Sequence, residues 1–254
     1  MKNTMMISKI IYPRKLYGKF RRSAEANDKQ EGIFVLEKAD RKTYVEVFFQ
    51  ETHFRRIGMI KILDLFSGTQ SVKKALDLMN IEYEYYGIDI YSPEDDNIIL
   101  DLSQDNIVEK VIAALPKGFI PNFIWASPVC RLFSIATAVK GGNVYFEKTR
   151  TGIKVRENLV PLQTTQFKNY TLDYIQQETS LHLKLVENME TIIQHYDCDF
   201  VIENPSHSYM KNVLDPMYCI NRVDYCRYGY DYKKPTIIFS NHNLDLKLCN
   251  HKGT

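Results

Sequence analysis

Residues 62–69 read Ile-Leu-Asp-Leu-Phe-Ser-Gly-Thr. A short run of large apolar side chains enters a Ser-Gly turn, and Val72, Ala75, Leu76 and Met79 then recur on one helical face. The pattern is strand, tight turn, helix. Working outward, further apolar runs stand at 85–90, 98–100, 123–126, 200–203 and 237–240, and Leu181, Leu185, Met189 and Ile192 mark a helix near residues 181–193. Strands that are apolar on both faces and separated by helices predict an α/β fold, a doubly wound and mostly parallel sheet with helices on either side. Ligands of such sheets bind at the carboxyl ends of the strands, and the segments below all lie at such ends.

The turn itself suits a ligand. Gly68 lets the backbone bend sharply, and amides exposed at a helix start can meet an anionic or polar group. Asp89 closes the next apolar run 21 residues after Gly68, where an acid can accept hydrogen bonds from ribose hydroxyls. Asp101 follows the third run and can take an adenine amino group. On these residues alone the ligand is any adenosine-containing cofactor, or the turn is a plain strand–helix connection. There is no GxGxxG and no GxxxxGK[ST], which disfavours NAD and P-loop nucleotides.

Two further segments carry chemistry. Residues 124–134 read Ile-Trp-Ala-Ser-Pro-Val-Cys-Arg-Leu-Phe-Ser and deliver Cys130 just past an apolar strand. Residues 200–205 read Phe-Val-Ile-Glu-Asn-Pro and deliver Glu203 in the same way. A cysteine alone after a strand is more often a small buried hydrophobe, and a single Glu can be a cap or an ion-pair partner. A thiolate needs an exposed, electropositive place, and a carboxyl group kept protonated suits a proton-donating role.

The three segments, in this order, resemble the cofactor, nucleophile and glutamate motifs of the DNA cytosine-5 methyltransferases. Pro128-Val-Cys130 resembles the family's Pro-Pro-Cys, Phe133-Ser134 also matches, and Glu203-Asn-Pro205 resembles Glu-Asn-Val. Tyr228-Gly-Tyr-Asp-Tyr-Lys-Lys-Pro-Thr236, running on to Asn241, is similar to compact family members of phage and prophage type, with Lys234 where the family usually has arginine. The resemblance implies a Rossmann-like fold of the S-adenosylmethionine-dependent methyltransferase type. It implies S-adenosylmethionine as cofactor, with Phe66 on the adenine, Asp89 on the ribose and Asp101 on the adenine amino group. The implied cofactor set is Asp64, Leu65, Phe66, Ser67, Gly68, Thr69, Asp89, Ile90, Asp101, Leu102, Ser127 and Pro128. Gln70 and Ser71 stand where glycines are common. The implied catalytic set is Cys130 as nucleophile, Glu203 at ring nitrogen 3, Asn204 shaping the pocket, and Lys234 polarising the cytosine carbonyl, on a base flipped out of double-stranded DNA; the alternatives are a cytosine in RNA, or a catalytically decayed or partner-dependent DNA-binding protein of the same build.

Charge and composition set the surroundings. The 254 residues carry a formal net charge of only +2, and 44% are hydrophobic, enough for a packed core. Basic residues nonetheless gather at Arg14, Lys15, Arg21 and Arg22, and again at Lys148, Arg150, Lys154 and Arg156. Both runs are candidate phosphate contacts, or solvated faces. Five scattered cysteines without a CxxC pair, and histidines without ligand spacing, argue for a reducing, intracellular setting and against a metal; the resemblance to phage-type members implies the cytoplasm of a bacterial or phage-infected cell. No apolar stretch is long enough to cross a membrane.

Two units are expected. Residues 1–57 form a basic extension whose β-prone runs at 32–36 and 43–49 read as a hairpin. Residues 58–254 form the catalytic domain, in which the polar, aperiodic 131–175 is expected to be a mobile loop that closes over DNA. The resemblance covers about residues 60–241. The family's long target-reading region comes after the Lys234 segment, where 13 residues follow Asn241 here. Target reading is therefore expected from 1–57 and 131–175, with low specificity or a second protein chain as the alternatives.

Overall fold

The computed structural model describes residues 7–10, 47–49, 59–79, 82–91, 97–228, 233–244 and 246–250. Arg14, Lys15, Arg21, Arg22 and the run at 32–36 lie outside the described residues. In the N-terminal part, β1 (Ile7–Ile10) pairs antiparallel with β2 (Val47–Phe49).

The main sheet starts with β3 (Ile60–Leu65), then α1 (Ser71–Met79), β4 (Tyr83–Asp89) and β5 (Ile98–Ile99). It continues with α2 (Ile107–Ala114), β6 (Phe123–Ala126), α3 (Leu172–Tyr196) and β11 (Asp199–Pro205), and closes with β12 (Cys219–Asp224) and β13 (Pro235–Ser240). Its order is β12-β13-β11-β6-β3-β4-β5. β3 to β5 step one way from the middle, and β6 and β11 step the other. All of these pair in parallel, while β13 runs antiparallel to β11 and β12. The sheet is thus doubly wound, mostly parallel and Rossmann-like, as the alternation of strands and helices predicts.

Burial explains the rhythm. Consecutive residues of the central strands, Ile62 and Leu63 in β3 and Phe123 and Ile124 in β6, are 0% exposed, so both faces of these strands are covered. Val72, Ala75 and Leu76 of α1 are buried on the face that their spacing predicts. α3 differs from expectation. It starts at residue 172, capped by the Thr171 side chain accepting from the Tyr174 amide, and its inward face is Ile175, Thr179, Val186, Met189, Ile192 and Ile193. Leu181 is exposed.

Two features were not legible. β12 is an edge strand whose inward Asn221 donates to Ser240 Oγ (3.1 Å) and His242 O (3.1 Å), so its apolar alternation is broken by a satisfied polar residue. The second is the interval 131–175, expected to be a mobile loop. Much of it is structured as β7 (Ala138–Val139), β8 (Gly142–Asn143), β9 (Phe146–Lys148) and β10 (Ile153–Val155), an antiparallel sheet of order β10-β9-β8-β7. Its strands are two or three residues long, too short for periodicity to show.

Candidate functional site

The strand order reverses between β3 and β6, and ligands of open α/β sheets bind outside the strand ends at such a point. Both neighbouring ends carry candidate residues, Phe66–Thr69 after β3 and Ser127–Cys130 after β6.

The turn after β3 is held in an unusual shape. Phe66, Gly68 and Gln70 all have left-handed φ values, 61°, 49° and 53°. Gly68 meets that demand without a Cβ, whereas Gln70 stands where the resembled family often has glycine and is held by its side chain. Gln70 Nε2 donates to Asn97 Oδ1 at 2.8 Å, and Asn97 Nδ2 donates to Gly68 O at 3.1 Å. The Gly68 amide donates to Asp89 Oδ2 at 2.9 Å and the Tyr91 amide to Asp89 Oδ1 at 3.0 Å. Asp89 therefore ties the turn to the end of β4. At Gly87 a Cβ would sit 2.8 Å from Ser67 Oγ and would also strike Asn97 Oδ1. Asn97 and Gly87 are supports that sequence reasoning missed, since neither belongs to a local motif.

Not every cofactor candidate faces outward. Asp64, Leu65 and Leu102 are covered, at 2%, 0% and 2% exposure, and Pro128 is buried, so their side chains support the turns from beneath. Asp64 Oδ2 accepts from the Tyr85 hydroxyl at 2.6 Å. Burial pushes its carboxyl up to about 7, against the pull of that hydrogen bond and with a further push from Asp89. Ser127 Oγ accepts from Trp125 Nε1 at 2.8 Å, and the Ser127 amide donates to Leu65 O at 3.2 Å, stitching the β3 and β6 ends together. Asp101 Oδ1 accepts from the Ser103 amide at 2.8 Å.

What remains accessible fits an adenosine-bearing cofactor. Among the described residues other than 67–69, no atom lies within 4 Å of the position a Gly68 Cβ would take, so the turn is open there. Ile90, next to Asp89, is 66% exposed despite being apolar, and Phe66, Thr69, Asp89 and Asp101 are half-buried. The Ser67 hydroxyl is buried without a partner. Apolar surface for a ring, beside carboxylates that accept from hydroxyl or amino groups, is the needed chemistry.

The thiol lies on the adjoining end. Cys130 is exposed, and its carbonyl accepts from the amides of Phe133 (3.1 Å) and Ser134 (2.8 Å), which fixes the turn that presents it. Behind it, buried Asn143 donates to Leu132 O at 2.8 Å and accepts from the Tyr145 and Phe146 amides. Asn204 of β11, 0% exposed, donates to Pro128 O at 3.4 Å and joins the β6 and β11 ends. Its Oδ1 is buried without a partner. Glu203 Oε1 accepts from the Tyr225 hydroxyl at 3.2 Å and lies 3.8 Å from Lys234 Nζ, which in turn sits 4.8 Å over the Tyr225 ring. Tyr225, unremarkable in the sequence, thus orients both charged groups.

These groups interact. The Cys130 thiol is pushed up, first by desolvation in the concave edge and then by the Glu203 charge, while the Lys234 ammonium pulls it down. The structure therefore brings Cys130, Glu203, Asn204 and Lys234 together from three separate stretches of chain.

The second basic run divides. Lys148 and Arg150 are exposed. Lys154 pairs with Glu157 (2.6 Å) and Glu147 (3.6 Å). Arg156 corrects its expected role as a phosphate contact. It is 1% exposed, and it donates to the carbonyls of Asn143 (2.7 and 2.9 Å), Asn158 (3.2 Å) and Phe146 (3.4 Å), with Glu147 at 3.5 Å. It is the pin of the small sheet. Among the described residues, no group of three or more His, Cys, Asp or Glu could hold a metal ion, and no helix is long and apolar enough to cross a membrane.

No protein-family model matches the chain. Two solved structures resemble its fold loosely. The delta-N METTL16 MTase domain is 10% identical, covering 74% of this chain and 76% of that one with a TM-score of 0.34. TrmN from Thermus thermophilus is 10% identical, covering 78% and 55% with a TM-score of 0.33. Neither likeness is close enough to carry an activity. In sequence, the chain is 28% identical over 184 residues to the "Probable DNA (cytosine-5)-methyltransferase" of Frog virus 3 (isolate Goorha), covering 71% of this chain and 70% of that protein. That likeness agrees with the motif resemblance to the DNA cytosine-5 methyltransferases, and with an enzyme.

Proposed function

We propose that the protein methylates carbon 5 of cytosine in double-stranded DNA, using S-adenosylmethionine and a covalent bond to Cys130. The observation that carries the reading is the convergence of the Cys130 thiol, the Glu203 carboxylate and the Lys234 ammonium at one sheet edge, beside an open turn suited to adenosine. Phe66, Ser67, Gly68, Thr69, Asp89, Ile90 and Asp101 would hold the cofactor, with Asp64, Leu65, Leu102, Ser127 and Pro128 supporting them. S-adenosylmethionine, when bound, supplies an electrophilic methyl group.

The residues explain the chemistry. Carbon 5 of cytosine is a poor nucleophile until a group adds to carbon 6. The Cys130 thiolate forms that sulfur–carbon bond, and the displaced ring electron density is received at nitrogen 3, where Glu203 donates a proton. Lys234 polarises the neighbouring carbonyl as a point donor. After methylation nitrogen 3 returns its proton to Glu203, and loss of the carbon 5 proton to solvent expels the Cys130 sulfur as thiolate and restores the ring. The charges couple these steps. Anionic Glu203 raises the thiol and the Lys234 ammonium lowers it, so the thiol's reactivity follows the balance of these two charges. The base must leave the duplex to reach Cys130.

The test is transfer of a labelled methyl group from S-adenosylmethionine to duplex DNA, with Cys130→Ala and duplex RNA alongside and a 5-fluorocytosine duplex as trap. Label on DNA that disappears in Cys130→Ala, with a covalent adduct on the fluorinated strand, is expected. Label on RNA alone, or label that persists without Cys130, overturns the reading.

A further inference from the structure

A cleft of about 560 Å³ opens beside the catalytic edge. Its floor is the β11 exit and the β13 entry, where the Ser206 amide donates to Pro235 O at 3.0 Å. Lys234, the cation against Glu203, lies between the cleft residues Lys233 and Pro235. One wall is the β9–β10 hairpin, part of the small sheet that follows Cys130. The edge strand β12 also lines it, through Arg222, Val223 and Asp224.

The lining is strongly basic. Lys148 comes from the hairpin, Lys211 from the turn after β11, Arg222 from β12, and Lys233 from the entry to β13. The one carboxylate among the described lining residues is Asp224, which is 5% exposed and lies 3.7 Å from Lys233. Lys148, Lys211 and Arg222 are exposed and have no ion-pair partner among the described residues. Cations held apart without carboxylates on three separate elements repel one another, and their summed field attracts a polyanion. The molecule's formal charge of +2 gives no reason to expect such a concentration.

We infer that this cleft is a docking surface for the phosphate backbone of duplex DNA, with Lys148, Lys211 and Arg222 as phosphate contacts. The inference rests on the reading that duplex DNA is the substrate. Backbone contacts set register and orientation on the duplex. A strand seated here lies against Lys233, whose chain neighbour Lys234 pairs with Glu203, so the small sheet becomes a wall of the substrate groove. Lys211 and Arg222 belong to neither basic run of the sequence, and Arg156, which does, holds that wall up from inside.

Salt-dependent binding tests this. The anisotropy of a fluorescein-labelled DNA duplex is titrated with the full chain at several salt concentrations. The cleft variant is Lys211→Ala with Arg222→Ala. The charge-matched control is Lys110→Ala with Lys117→Ala, two exposed residues that do not line the cleft. Loss of two phosphate contacts is expected to reduce the slope of log K against log salt by about 2, about equally for every duplex sequence. Lys148→Ala alone reduces it by about 1, and the control leaves it unchanged. Equal slopes for wild type and cleft variant overturn the inference, as does an equal loss in the control or tighter binding to RNA than to DNA. If wild type methylates DNA while the slopes are equal, the cleft assignment falls and the proposed reaction stands. If the cleft carries the slope but no methyl group is transferred, the reverse holds.

Discussion

At the scale of the residue, charge around one sulfur governs the chemistry. Desolvation and Glu203 both raise the Cys130 thiol, and Lys234 opposes them. Glu203→Gln removes a negative charge beside the thiol, so the pH midpoint for Cys130 alkylation is expected to fall. Lys234→Ala removes the opposing cation, so the midpoint rises. Site-resolved mass spectrometry of iodoacetamide labelling against pH distinguishes Cys130 from the other four cysteines, and shifts in the opposite sense would separate Cys130 from this electrostatic pair. Asp64 gives a second prediction at the same scale. Its carboxyl is raised to about 7 from an ordinary value near 3.8, so the folded chain binds that proton more tightly than the unfolded chain. The group's stabilising effect is full below about pH 4 and is lost as pH rises toward 7. Asp64→Asn is therefore expected to gain stability relative to wild type across that window, read as a Tm difference that grows from pH 4 to pH 7. A constant difference would contradict the burial argument.

At the scale of the element, the small sheet after Cys130 is a support built on two polar residues. Arg156 reaches carbonyls on either side of the hairpin, and Asn143 links that hairpin to the Cys130 turn. Arg156→Met keeps much of the volume but removes the donors. The expected cost is about 1–3 kcal/mol for each buried carbonyl left unpaired, measured by urea unfolding. Methyl transfer falls with it, because the Cys130 turn loses its backing. The salt slope of DNA binding stays at the wild-type value, which separates an internal pin from a phosphate contact. A reduced slope would return Arg156 to the role its place in a basic run suggests. That run was legible, but its division was not: Lys148 and Arg156 are eight residues apart and alike in charge, yet one lines a cleft and the other fills a core.

At the scale of the whole molecule, the cofactor turn ties three strands together. β3 carries the bend, β4 supplies Asp89, and Asn97 at the start of β5 holds Gln70 and the Gly68 carbonyl. Binding there is expected to stabilise the entire catalytic sheet. At S-adenosylmethionine about 100-fold above Kd the gain is about 2.7 kcal/mol, a rise in Tm of roughly 5–10 °C for a domain of this size. Gly87→Val places a side chain against Ser67 and Asn97 and should abolish the rise. An unchanged rise would put the cofactor elsewhere.

The sequence by itself determined the strands of the main sheet apart from β12, and three of its edge segments. Parallel strands buried on both faces must be continuous apolar runs, and the turns that follow them must carry Gly, Ser or Pro, so both are local signals. It also placed Cys130 just past a strand, and it put Glu203 at a strand end where β11 in fact runs on to Pro205. Only the tertiary structure decided which of these groups meet. Tyr225 reaches Glu203 from 22 residues away, Asn97 reaches Gly68 from 29 residues away, and Asn204 reaches Pro128 from 76 residues away. Such contacts follow from strand order and register, which no periodicity encodes. Burial of a charge is decided in the same way. Arg156 is inside and Arg222 outside because of what packs around each, and a guanidinium enters a core only where carbonyls are already arranged to receive it.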